Sequence, residues 1–146
     1  MDSRRAAPTL GIVSSVVVVA VLAVPYSIVD SGAVSGYYNA GVLTPWTAGL
    51  LALVAIIAFA AGRENRTDPA TAAGAGVVFG LFVFAISVLW AVTVPTEVPL
   101  QLTTNDPIVG PLTTAVIIEN HRWVLSVAAA GPAVAGVWYT KALGFI

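Results

Sequence analysis

Four long stretches of the chain are apolar at nearly every position, and the polar residues gather between them. The stretches run from Leu10 to Val29, Trp46 to Gly62, Gly74 to Val94 and Trp123 to Phe145. Each is close to the roughly 20 residues that a helix needs to cross about 30 Å of hydrocarbon. Their valine content would favour strands in water, but a lone strand cannot satisfy its backbone in lipid. None shows the ten-residue alternation of a membrane barrel. The pattern predicts an all-α fold: an integral membrane four-helix bundle, with residues 1–146 as a single transmembrane domain.

The breaks between the stretches carry helix-start signals. Thr44-Pro45, Asp68-Pro69 and Asp106-Pro107 each place a capping side chain before a proline. The cap accepts a bond from an orphan N–H, and proline at the first helical position has no N–H to lose. The first two pairs open spans two and three. The third opens a helix inside the long outer segment, residues 95–122, and Gly110-Pro111 restarts it. Earlier in that segment "VPLQLTT" alternates and reads as extended chain or a short strand. Its later part can lie on the membrane surface, dip in as a re-entrant piece, or extend span four. A continuous helix from Pro111 to Phe145 would be about 52 Å long at 1.5 Å per residue, so it would project from the bilayer. The segment is partly structured in any of these readings. The shorter outer loop, "DSGAVSGYYNAG", is rich in glycine.

Composition agrees with the pattern. The chain is 58% hydrophobic and 9% charged, with mean hydropathy +0.94. A soluble domain carries nearer 25% charge. The few cations set an orientation. Arg4, Arg5, Arg63, Arg66 and Lys141 fall on one side of a four-span chain, and Arg122 alone falls on the other. The positive-inside rule then puts both termini and the loop between spans two and three in the cytoplasm, with the protein in the cell membrane. Tyr26, Tyr37, Tyr38, Trp46, Trp90 and Trp123 would form an outer aromatic belt, and Trp138 with Tyr139 an inner one. An Arg-Arg start and a small-residue site ending at Ala23 also fit a signal peptide, but the 20-residue apolar length favours a span.

Candidate chemistry is sparse. No cysteine is present, which removes thiol chemistry, and a single histidine argues against a His-ligated metal or haem. No basic run suggests nucleic acid. No ionisable residue stands in the middle of a span, which argues against a proton relay or pump. The hydroxyls of Ser14, Ser15, Ser87, Thr93 and Ser126 are expected to bond to carbonyls one turn back or to a neighbouring helix. No set of residues converges on a catalytic constellation, so no enzyme, catalytic residue or cofactor is expected.

Two features remain. Ala72, Gly76 and Gly80, and on span four Gly131 and Ala135, form small-residue grooves suited to close helix packing, within the bundle or between copies. The other is "IIENHRW". Glu119, Asn120, His121 and Arg122 are consecutive, so they point around the whole helix. They read as a solvated collar in which Glu119 pairs with Arg122. The functional alternatives are a pH-sensitive outer gate at His121 or an anion or headgroup contact at Arg122.

The Ala/Val/Gly/Thr-rich spans, the preference for arginine over lysine and the acidic outer loops resemble small uncharacterised membrane proteins of halophilic archaea. The resemblance is one of composition over the whole chain and implies no activity. The expected role is association, as a homo-oligomer or an accessory subunit of a membrane assembly, with the lipid bilayer and another membrane protein as partners and the outer segment as contact surface. The alternative is a small oligomeric pore or transporter without charged residues in the membrane.

Overall fold

The computed structural model describes residues 2–102, 107–109 and 112–146. Along the chain come α1 (Ser3–Ile28), α2 (Ser31–Tyr38), α3 (Trp46–Arg63), α4 (Pro69–Thr93), α5 (Glu97–Leu102), β1 (Pro107–Val109), β2 (Leu112–Thr113) and α6 (Thr114–Ala142). The two strands pair antiparallel, Pro107 opposite Thr113 and Val109 opposite Leu112. Four helices, α1, α3, α4 and α6, are long and apolar enough to cross a membrane. They form a closed ring in which α1 packs on α3, α3 on α4, α4 on α6 and α6 back on α1.

The spans begin where local chemistry dictates. The Asp68 carboxylate accepts from Thr71 N at 3.1 Å, and Pro69 is the first residue of α4. At the start of α3 the expectation shifts by one place: Pro45 is the cap residue itself, the helix begins at Trp46, and Trp46 N donates to Thr44 Oγ1 at 3.4 Å. Between these helices Asn65 takes a left-handed conformation, φ 55°. Its N–H bonds to Gly62 O and that of Arg66 bonds to Ala61 O, so the last carbonyls of α3 are satisfied by a Schellman turn. Asparagine tolerates that φ better than most residues because its short amide can bond locally.

Two expectations for the connecting segments change, and one segment gains a helix. Pro107 lies in β1, and α6 starts instead at Thr114, capped by Thr113, whose hydroxyl accepts from Val116 N; Asp106, Gly110 and Pro111 lie outside the described residues. "VPLQLTT" reads as extended, yet Glu97–Leu102 is helical. Pro99 stands in the first turn there, where an N–H has no partner to lose. The glycine-rich loop contains α2, with the Asp30 carboxylate accepting from Gly32 N. The late part of the outer segment extends span four: α6 has 29 residues, about 43 Å at 1.5 Å per residue.

The core has two parts. The larger holds Val18, Leu22, Val34, Val83 and Leu125 with the rings of Tyr37, Tyr38 and Trp90. The smaller, at the end where the chain termini lie, surrounds Phe59. The Phe59 ring occupies space cleared by two glycines. A Cβ added to Gly11 of α1, or to Gly76 of α4, would stand 2.5 Å from it. Helices α4 and α6 approach backbone to backbone. A Cβ on Gly80 would lie 2.5 Å from Ala133 N, and one on Gly136 would lie 2.6 Å from Val77 N. Ala72, Gly76, Gly80 and Ala135 are thus buried within one bundle, and Gly131 lies against Ser14 of α1. These grooves are filled by the chain's own helices.

Candidate functional site

The helix ends opposite the chain termini converge on the only histidine in the sequence. His121 of α6 is 3% exposed. Around it stand Tyr37 and Tyr38 of α2 and Trp90 of α4, all but fully buried. Every pair among these four rings lies within 6.2 Å, from Tyr37–Trp90 at 5.1 Å to Trp90–His121 at 6.2 Å. Trp46 and Tyr26 continue the cluster to α3 and α1 through Tyr38. Aromatic contacts of this kind add about 0.5–1.5 kcal/mol per pair beyond the area they bury. α2 is therefore packed over the bundle's end, and "DSGAVSGYYNAG" folds back instead of anchoring at the lipid surface.

The polar atoms in this cluster meet defects left by proline. Pro25 lies inside α1 and has no N–H. The carbonyl deprived of its helical partner is that of Val21. His121 Nε2 lies 2.8 Å from Val21 O. A carbonyl only accepts, so this contact puts the ring proton on Nε2. Nδ1 is then the acceptor for the Tyr37 hydroxyl at 3.4 Å. The adjoining carbonyl, Leu22 O, accepts from Tyr38 Oη at 2.6 Å. Burial pushes both phenols above their ordinary pKa, opposed at Tyr37 by Arg122 and reinforced at Tyr38 by Tyr37 and Tyr26. Both hydroxyls thereby stay protonated donors.

Arg122 repeats the device on the opposite neighbour. Pro95 follows α4 and leaves Ala91 O without an N–H. The Arg122 guanidinium donates to Ala91 O at 3.4 Å and to Val94 O at 3.2 Å. The carbonyl end of a helix is also where a cation is favoured by the helix dipole. The guanidinium further lies 5.3 Å from the Trp123 ring centre, a cation–π contact. Two consecutive residues of α6 thus cap two proline-exposed carbonyls, one on α1 and one on α4.

This corrects the solvated-collar reading and separates its members. His121 is buried, Arg122 is half-buried, and Glu119 with Asn120 is exposed. Glu119 does not pair with Arg122; the ion pair among the described residues is Arg63–Glu64. The outer aromatic belt is likewise reduced. Tyr37, Tyr38 and Trp90 are buried, while Tyr26, Trp46 and Trp123 keep exposed faces; at the other end Trp138 is exposed and Tyr139 buried. Of the hydroxyls, Ser14, Thr93 and Ser126 bond one turn back as expected. Ser15 and Ser87 are buried without a partner among the described residues, as are Trp90 Nε1 and Arg122 Nε. Tyr37, Tyr38 and Trp90 were not singled out with His121 by sequence reasoning. The signal that could have joined them was Pro25, which leaves a carbonyl in need of a donor.

Four long apolar helices closed into a ring, with both termini at one end, define a multi-pass membrane protein of the four-helix bundle class. The chain belongs to a family of unknown function, DUF7548, whose model matches residues 1–144. No curated protein and no solved structure matches it.

Proposed function

We propose that the protein acts by association, as a homo-oligomer or as the accessory subunit of a membrane assembly, and performs no covalent chemistry. The observation that carries this reading is a polar amide set in an open apolar flank. Val17 and Val21 of α1 and Trp123, Val124 and Val127 of α6 line a shallow groove, and Asn120 lies within it. Its Nδ2 donates to Val116 O at 2.8 Å, and no described residue donates to its amide oxygen. An exposed amide on an apolar helix face is a handle for a second helix, worth about 0.6–1.7 kcal/mol when bonded across an interface. The exposed carboxylate of Glu119 adjoins it. The small-residue grooves support no contact between copies, because they are filled within the monomer.

The same reading places the protein in the cell membrane with both termini cytoplasmic. The gathering of Arg4, Arg5 and Arg63 at one end of the bundle supports it. Gentle extraction followed by mass measurement of the detergent complex tests the association. The wild-type chain should run as a complex, and Asn120→Leu should weaken it by about three- to twentyfold. A wild-type monomer with no co-purifying partner would overturn the reading.

A second reading, a small oligomeric pore, is favoured by Ser15 and Ser87, two buried hydroxyls without partners among the described residues. It requires flux of ions or small solutes through liposomes carrying the protein, altered by Ser15→Ala or Ser87→Ala. Tight liposomes would dismiss it.

A further inference from the structure

The clefts on the flanks of the helices present mostly apolar surface, as lipid-facing grooves do. One cleft is different. At the end of the bundle that holds both termini, a recess of about 180 Å³ lies between the start of α1, the α3–α4 turn and the end of α6. Arg4, Arg5 and Arg63 line it, with Asp2 as the one carboxylate in its wall.

The charges there are only partly cancelled by the protein: Asp2 stands in the wall, Glu64 pairs with Arg63, and the Asp68 carboxylate acts on Tyr139. Arg63 is engaged: its Nε donates to Thr9 Oγ1 at 2.9 Å and its other arm pairs with Glu64 at 2.6 Å. Arg4 and Arg5 have no carboxylate partner among the described residues. Arg4 reaches only Ala142 O, at 3.4 Å through Nε. The Asp2 carboxylate is occupied as the cap of α1, accepting from Arg4 N.

A second observation points into the same recess. Tyr139 lines it and is 1% exposed, yet its hydroxyl makes no hydrogen bond to any described residue. The phenol reaches that position because Gly62 has no side chain: a Cβ there would lie 2.9 Å from Tyr139 Oη. Tyr139 shares the wall of the recess with Arg4 and Arg5, and the planar forks of two guanidiniums match the oxygens of a phosphate.

We infer that this recess is a binding site for a phosphate group, held by Arg4 and Arg5 with Tyr139 as the neutral donor. Its position at the end of four membrane-crossing helices is where the phosphates of a bilayer stand, so the phosphodiester of an anionic phospholipid is the ligand that fits. Free phosphate shares the chemistry.

Native mass spectrometry of the full chain, exchanged into micelles containing phosphatidylglycerol or phosphatidylcholine, tests this. Wild type should retain phosphatidylglycerol in preference to phosphatidylcholine. Arg4→Gln with Arg5→Gln should lower retention by about tenfold or more. Arg66→Gln with Lys141→Gln removes the same charge outside the recess and should leave retention within about twofold. Tyr139→Phe should weaken retention by about threefold while keeping the ring, a readout that overall charge does not move. Displacement of the lipid by millimolar inorganic phosphate, and not by chloride at equal ionic strength, would support the site and assign it to free phosphate; persistence of the lipid assigns it to the headgroup. Equal retention of the two lipids, or an equal loss in the two double variants, overturns the inference.

Discussion

At the scale of single residues the protein turns on two prolines and the two side chains that answer them. His121→Ala removes the donor to Val21 O and the acceptor for Tyr37, and should cost about 1–3 kcal/mol of stability. The cause is separable from lost packing. Pro25→Ala restores an N–H to Val21 O, so His121→Ala should cost less in that background, with a coupling of about 1 kcal/mol. Unfolding by denaturing detergent across the four variants measures it, and strict additivity would refute the pairing. The ingredients were visible in the sequence. His121 and Arg122 stood out but looked like a collar, because four consecutive polar residues on a helix point in all directions, and Pro25 and Pro95 were not connected with them. What a linear reading lacks is the relative register of α1, α4 and α6. Only the fold shows that His121 and Arg122 end on carbonyls and rings of neighbouring elements, while Glu119 and Asn120 stay exposed.

Among the elements, the spans were legible and their edges were not. Long apolar runs identify α1, α3, α4 and α6 because backbone in lipid has few alternatives to a helix. The start of α4 was readable because Asp68-Pro69 is a local signal. α2 was hidden, since two glycines and two serines make "SGAVSGYY" a poor helix former, and burial of Tyr37 and Tyr38 outweighs propensity. The α4–α6 contact gives a test with an internal control. Gly80→Ala presses a methyl against the Ala133 backbone and should destabilise by about 1–3 kcal/mol. Gly74→Ala, on the same helix with nothing within 4 Å of the added carbon, should be neutral or stabilising by up to about 1 kcal/mol. Thermal unfolding in detergent compares the two. Similar losses at both sites would mean that the helices do not meet as closely as described.

For the whole molecule the issue is which way the bundle faces. The absence of cysteine makes the test direct, because each introduced thiol is the only one present. Ser3→Cys and Glu64→Cys should stay unlabelled by an impermeant maleimide in intact cells, and Ser35→Cys should react; all three positions are exposed. The reverse pattern would invert the topology. The ring itself has a consequence for biosynthesis. Helix α6 is made after the other three spans, and it closes the circle by packing on α1 and α4. Until α6 is made, Val21 O of α1 and Ala91 O of α4 lack the donors that His121 and Arg122 supply. Those two donors arrive together on α6, so the ring and both of its proline-exposed carbonyls are closed in a single step.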